Sequence, residues 1–527
     1  MDVTGEILLG LMVAVAALAT VARLLDQPYP ILLVLGGLGL GFVPGLPDVE
    51  LDPDLVLVLV LPPLLYSAAF FSSLRDLRAH LRPITMLAVG LVVLTTCLVA
   101  LVAHAIIPGL PWAAAFVLGA VVAPTDPLAA TTIARRLGVP RSLVTVIEGE
   151  SLINDGTALT AYRFAVVAAV GGSVSLSELG LQFFVDVAGG IAVGLAGAFV
   201  VGEIRRRLDD PPVEVTISLA TGYAVYLPAE QLGLSGVLAA VSAGIYLGWL
   251  APDIASARMR MQGTAVWETL TFLLNAVLFM LVGLQLPIVL DGLDSRSVGE
   301  LIAYAGAICA TVVGARLLWL NTTPYVIRAL DRRQSQRERR RGWQERLVIG
   351  WAGMRGSVSL AAALAIPLET DAGAPFPGRD LIVFLAFCVI LFTLVVQGLT
   401  LPALIRRLGT EDDDGEQREE LAARVAAAEA ALERLAELEG EDWTNEDTVE
   451  RTRGMHRYRI RRFQARRDGD GSEGIEERSQ AYQQLTRELL VAQQVALVRM
   501  RKSGEISDEV MRKVQRDLDL EDTRLEI

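Results

Sequence analysis

Cysteine is scarce in this chain. Cys97, Cys309 and Cys388 are the full complement, each inside an apolar stretch, which excludes a disulfide framework or a zinc cluster. The three histidines, His80, His104 and His456, are scattered and read as isolated side chains. Lysine is limited to Lys502 and Lys513, so the basic loops are almost purely arginine. No GxxxxGK[ST] string occurs, so no phosphate cradle of that kind exists for ATP. Charge is low too, at 20% of 527 residues, against roughly 25% in an ordinary soluble domain.

What is there is apolar sequence, 53% of the chain. Residues 1–408 hold 57 charged residues, and residues 409–527 hold 50. One soluble globule is excluded. The expectation is an all-α polytopic membrane domain over 1–408 and a cytoplasmic, helical, regulatory tail over 409–527 with net charge −10. The first apolar run is too long and too lightly flanked for a cleaved signal peptide. Nothing points to a nucleic-acid partner, to a cofactor or to an enzyme.

About 20 apolar residues span a bilayer as a helix. About thirteen such runs lie near 5–24, 29–46, 54–71, 84–107, 111–134, 142–170, 183–204, 213–229, 234–250, 265–287, 299–327, 346–368 and 379–405. Loops after the odd-numbered runs carry 22 arginines, whereas the opposite loops carry only Arg296 and Arg379. By the positive-inside rule the N-terminus lies outside the cell membrane and the tail in the cytoplasm. The tail reads as a helix over 416–439, a linker over 440–474 with an arginine cluster at 451–467, and a second helix over 475–519. The arginine cluster has the chemistry to lie on anionic headgroups.

Arg163, Arg316 and Arg355 fall inside apolar runs, where charge is expensive and marks function by default. Run 5 contains Pro124-Thr125-Asp126-Pro127. Each proline removes a donor and clashes one turn back, so the run should break into two half-helices there. Run 12 contains Gly353-Met354-Arg355-Gly356-Ser357, again a charge between glycines. Runs 5 and 12 are seven apart: if runs 1–6 and 8–13 are repeats, run 7 is the linker, runs 5 and 12 correspond, and the odd offset inverts the second copy. Paired interrupted segments in inverted halves are the sequence pointer to a secondary transporter site. Run 6 contains Glu148-Gly149-Glu150-Ser151-Leu152-Ile153-Asn154-Asp155. On a helix, Glu148, Ser151 and Asp155 share a face, with Glu150 and Asn154 on an adjacent stripe. A midplane carboxylate reached by water holds a proton or a small cation, not both, and that competition couples the two flows. Hard oxygen ligands suit Na+, Li+ or K+.

These motifs, PTDP, EGESLINDG, ARLL and GMRGSVSLA in that order, resemble the monovalent cation:proton antiporters of the NhaP and sodium/proton-exchanger type. The resemblance implies a homodimer in the bilayer, with a dimerisation domain and a core that moves as an elevator around the ion. It implies crossed, unwound helices 5 and 12. It makes Asp155 the cation and proton carrier, Ser151 and Thr125 further ion ligands, and Asp126 the acid supporting the unwound segments. Asn154 resembles the residue that separates this branch from relatives with two adjacent aspartates. Glu150 and Arg316 resemble a structural salt bridge, and Arg355 the cation that stabilises the crossing. Glu148 and Arg163 receive no role from it. Ser67 stands where many relatives place an acid, which implies a looser ion shell. The expected activity is electroneutral 1:1 Na+/H+ antiport serving intracellular pH and Na+ homeostasis. The alternatives are K+/H+ antiport in the same family, a cation channel, and an intramembrane aspartyl protease built on Asp126 and Asp155. The last lacks the GxGD string of such enzymes.

Overall fold

The computed structural model describes residues 3–44, 56–171, 176–291, 293, 296–330, 342–410, 415–468 and 473–525. Among them the chain is helical, with no strand beyond a single bridge between Glu369 and Pro375. It divides into two compact units, Met1–Glu411 and Asp412–Ile527.

The first unit opens with α1 (Val3–Leu24), α2 (Tyr29–Gly41) and α3 (Val56–Phe70). A short α4 (Leu74–Ala79) leads into α5 (Leu81–Ile106). Then come α6 (Trp112–Val122), α7 (Leu128–Arg136) and α8 (Arg141–Val170). Next are α9 (Leu176–Arg205), α10 (Pro211–Gln231), α11 (Gly236–Ile254) and α12 (Ala257–Leu284). A short α13 (Leu286–Asp291) precedes α14 (Val298–Leu330), and α15 (Trp343–Trp351), α16 (Ser357–Leu364) and α17 (Arg379–Leu408) complete the unit.

Run 5 is two helices, α6 and α7, separated by non-helical residues around Pro124 and Pro127, and run 12 is likewise α15 and α16 around Gly353–Gly356. Among the described residues, six helices are long and apolar enough to cross a membrane by length and composition. Four shorter apolar helices, Leu9–Leu24, Tyr29–Gly41, Val56–Phe70 and Trp112–Val122, accompany them. Helix α8 is long enough, at 30 residues, but carries Arg141, Glu148, Glu150, Asp155 and Arg163. The residues of interest are what lower its apolarity.

The helices pack in places backbone to backbone. A Cβ at Gly37 on α2 would collide with the Met280 carbonyl on α12, and one at Gly283 on α12 with the Val34 carbonyl on α2. Helix α11 approaches α3 the same way, through Gly244 against Tyr66 and Gly248 against Phe70. Small residues that admit such approach are the usual device where hydrocarbon outside offers no hydrophobic drive. By contrast, the atoms nearest a Cβ at Gly156 on α8 belong to the Leu238 side chain on α11 rather than to backbone. Trp267 on α12 is buried and donates through Nε1 to Ser218 Oγ at 3.1 Å, which fixes the rotation of α12 about its axis.

The second unit holds α18 (Gly415–Leu438), α19 (Glu446–Asp468), α20 (Glu473–Ser503) and α21 (Asp508–Leu525). The linker expected over 440–474 is thus mostly a helix, and the helix expected over 475–519 is two, parted near Gly504 (φ 78°). Leu421 and Val425 on α18 pack on Phe463 and Ile460 of α19.

Candidate functional site

The two helix breaks meet. Asp126 N donates to Met354 O at 2.8 Å, tying the α6–α7 break to the α15–α16 break. Asp126 Oδ1 accepts from Leu128 N at 2.9 Å and so caps the start of α7, where amide donors lack helical partners. Gly356 packs on the other carboxylate oxygen so closely that a Cβ there would overlap it. Arg355, 1% exposed, donates through Nε to Val122 O at 3.1 Å and through Nη1 to Gly353 O. Its backbone N donates to Thr393 Oγ1 at 3.0 Å, at the start of the π turn Thr393–Gln397 in α17. The guanidinium therefore sits at the carbonyl end of α6, where the helix dipole is negative.

A second network braces Thr125. Asn154 Nδ2 donates to Thr125 Oγ1 at 2.8 Å, and the Thr125 hydroxyl lies 3.4 Å from Glu150 Oε1 and 3.3 Å from Ser151 Oγ. Glu150 pairs bidentately with Arg316 of α14, with Nη2 to Oε2 at 2.8 Å. The remaining Arg316 donors reach Ile349 O on α15 at 3.2 and 3.1 Å. Buried charge survives only with this degree of pairing and hydrogen bonding.

Between these networks and α12 lies a cavity of about 550 Å³. Ser67, Thr125, Asp126, Ser151 and Asp155 all line it. Asp155 is 8% exposed, and among the described residues its carboxylate has no hydrogen-bonded or charged protein partner. Asn154 is buried, does not line the cavity and acts on it only through Thr125. Ser67 Oγ is turned to Leu64 O at 3.0 Å. Glu148 lies on the wall at the more open end and pairs with Arg135 of α7 at 2.7 Å. Arg163 lies away from the cavity and pairs with Glu230 of α10, whose Oε1 accepts from Gly236 N at 3.0 Å.

Sequence reading missed the opposite wall. Glu268, Thr271 and Asn275 on α12 line the same cavity. Their spacing, three and seven, is that of Glu148, Ser151 and Asp155 on α8, and that repeat in run 10 was the available signal. The cavity lining reaches no farther than Asp155 along α8 and Asn275 along α12. Ala158 on α8, and Leu278, Phe279 and Val282 on α12, are buried, and the lining stops short of them.

A family model described as sodium/hydrogen exchanger, transmembrane, matches residues 10–407. The chain is 37% identical over 520 residues to an uncharacterised Na+/H+ exchanger of Mycobacterium tuberculosis, covering 97% of this chain and 95% of that one. It is 30% identical over 478 residues to a sodium, potassium, lithium and rubidium/H+ antiporter of Bacillus pumilus, covering 87% and 70%. Among solved structures, the sodium proton antiporter MjNhaP1 of Methanocaldococcus jannaschii shares the fold, with a TM-score of 0.61 over 77% of this chain and 98% of that one at 21% identity. The chain therefore belongs to the sodium/hydrogen exchanger family, as an NhaP-type monovalent cation:proton antiporter, a secondary transporter and not an enzyme.

Proposed function

We propose that this protein exchanges Na+ for H+ across the cell membrane, with Asp155 holding each ion in turn. The observation that carries this reading is the Asp155 carboxylate: nearly buried, without a protein partner among the described residues, and open to a largely apolar cavity that the oxygens of Thr125 and Ser151 also line. A lone carboxylate in that setting gains most from a ligand that neutralises it, and a proton and a small cation do so alternately. Thr125 and Ser151 supply neutral oxygens beside it. Asn154 and the Glu150–Arg316 pair hold Thr125 in position, and Asp126 and Arg355 stabilise the meeting of the two breaks.

The architecture we assign is thirteen membrane helices in two inverted repeats, with interrupted helices 5 and 12 crossing at the site. The arginine-rich loops put the N-terminus outside and the tail inside. The cavity mouth, which carries Arg135, then faces the cytoplasm. A core containing α5–α8 and α14–α17 moves against a dimer-forming scaffold of α1–α3 and α9–α12, carrying Asp155 from one side to the other. Glycine-mediated contacts within the scaffold, against side-chain contact between α8 and α11, support that division. Residues 409–527 form a regulatory tail. The cellular role is control of internal pH and Na+.

K+ as the exchanged ion is the second reading. It is favoured by Ser67, a hydroxyl without charge on the cavity wall, and by the several cations in the name of the Bacillus relative.

The test is proton flux in proteoliposomes loaded with a pH dye. Na+, Li+ or K+ added to wild type should dissipate an imposed proton gradient, and Asp155→Asn should abolish this. The ranking of ions identifies the substrate. Full exchange by Asp155→Asn would overturn the carrier assignment.

A further inference from the structure

The mouth of the cavity carries three charges. Arg135 and Glu148 pair at 2.7 Å and cancel. Glu268 is exposed and lines the cavity, and among the described residues its carboxylate has no ion-pair or hydrogen-bond partner, the one side-chain hydrogen bond to the residue being that of Thr271 Oγ1 to its backbone carbonyl at 3.2 Å. The net negative charge at the mouth is therefore that of Glu268. From it Thr271 and Asn275 continue along α12 toward the depth of Asp155, a rise of about 10 Å over seven residues. Glu148, Ser151 and Asp155 make the facing ladder on α8. On the membrane orientation proposed above, both helices start from a cytoplasmic, arginine-bearing end, Arg141 on α8 and Arg258 and Arg260 on α12, which puts the two glutamates at about one level. At the far end stands the unpartnered, 8% exposed Asp155, which gives the ladders a destination that attracts cations.

We propose that Glu268 is a positioning residue for the exchanged cation: it gathers monovalent cations at the mouth and hands them along Thr271 and Asn275 to Asp155. The proposal rests on the exchange reading of Asp155. It adds a directional asymmetry. Glu268 sits on α12, which is locked to α2 through Gly37 and Gly283, whereas Asp155 sits on α8. Glu268 thus serves the ion only when Asp155 faces the mouth. A negative charge focused in a cleft raises local cation concentration, and salt screens it.

The experiment compares Na+-driven proton flux in inside-out and right-side-out membrane vesicles for wild type, Glu268→Gln, Glu268→Asp and Asp155→Asn. For Glu268→Gln the KM for Na+ presented on the cytoplasmic face should rise roughly three- to tenfold, the effect of one charge at about 10 Å in a medium of intermediate dielectric. The KM on the opposite face and the maximal rate should be unchanged. Glu268→Asp should restore most of the affinity, and the difference from wild type should shrink when choline chloride raises the ionic strength. An unchanged KM on both faces overturns the proposal, and so does an equal rise on both faces, the mark of a merely structural residue. Failure of the parent reading is separately visible, because Asp155→Asn would then retain flux.

Discussion

Glu150 and Arg316 are 2% and 1% exposed, and each is the other's charge partner. Removing one leaves an uncompensated buried charge, which costs about 3–5 kcal/mol. Arg316→Met should therefore lower the thermal midpoint of the detergent-solubilised protein by several degrees. Replacing both with apolar residues of similar size should recover part of that loss. Because Thr125 leans on Glu150 and Asn154, the single variant should also weaken cation affinity, which flux titration reads separately from stability. At Asp155 the expectation concerns pH. If proton and cation compete for one carboxylate, the apparent KM for Na+ rises as pH falls and approaches about tenfold per pH unit in the acid limit of one competing proton. Two titrating carriers would give a steeper dependence, measurable by flux at saturating and limiting Na+ across a pH series.

At the level of elements, the contact between the two breaks depends on having no side chain at Gly356. Gly356→Ala would press a methyl group into Asp126, an overpacking cost of about 1–3 kcal/mol. Exchange should fall about tenfold or more while the protein still elutes as a folded species, whereas Gly306→Ala, with open space around it, should be silent in the same flux assay. The breaks themselves were legible in the sequence, because two prolines around Asp126 and two glycines around Arg355 leave no continuous helix. The polar face of α8 was legible for the same reason: carboxylates inside an apolar run cannot be incidental. The ladder on α12 was not, because Thr271 and Asn275 are uncharged and vanish in an apolar average. Helix α19 was missed because it is dense in arginine and has few apolar positions, Ile460 and Phe463 being its members of the apolar cluster with α18. Periodicity in so polar a segment has too few apolar positions to register. The pairing of Arg163 with Glu230 joins residues 67 positions apart and needed the fold.

For the whole molecule, the sharpest consequence follows from where the cavity ends. Its lining reaches Asp155 on α8 and Asn275 on α12 and no farther along either helix. Conducting solution that reaches Asp155 brings the electrical potential of one side with it. On the proposed mechanism the membrane voltage then falls across the protein beyond Asp155 rather than across the full thickness of the bilayer. A unit charge moved through the full potential does work of about 2.3 kcal/mol per 100 mV. On that mechanism Asp155 loaded with a proton or with Na+ is neutral and does no such work, while the bare carboxylate does. Slippage of an unloaded carrier is then opposed by desolvation in both directions, and the potential opposes it in one direction and favours it in the other. Clamping proteoliposomes at different potentials with valinomycin and K+, with Na+ as the driving ion, should leave the steady-state proton gradient unchanged; a gradient that follows the potential would mean that charge crosses with each cycle.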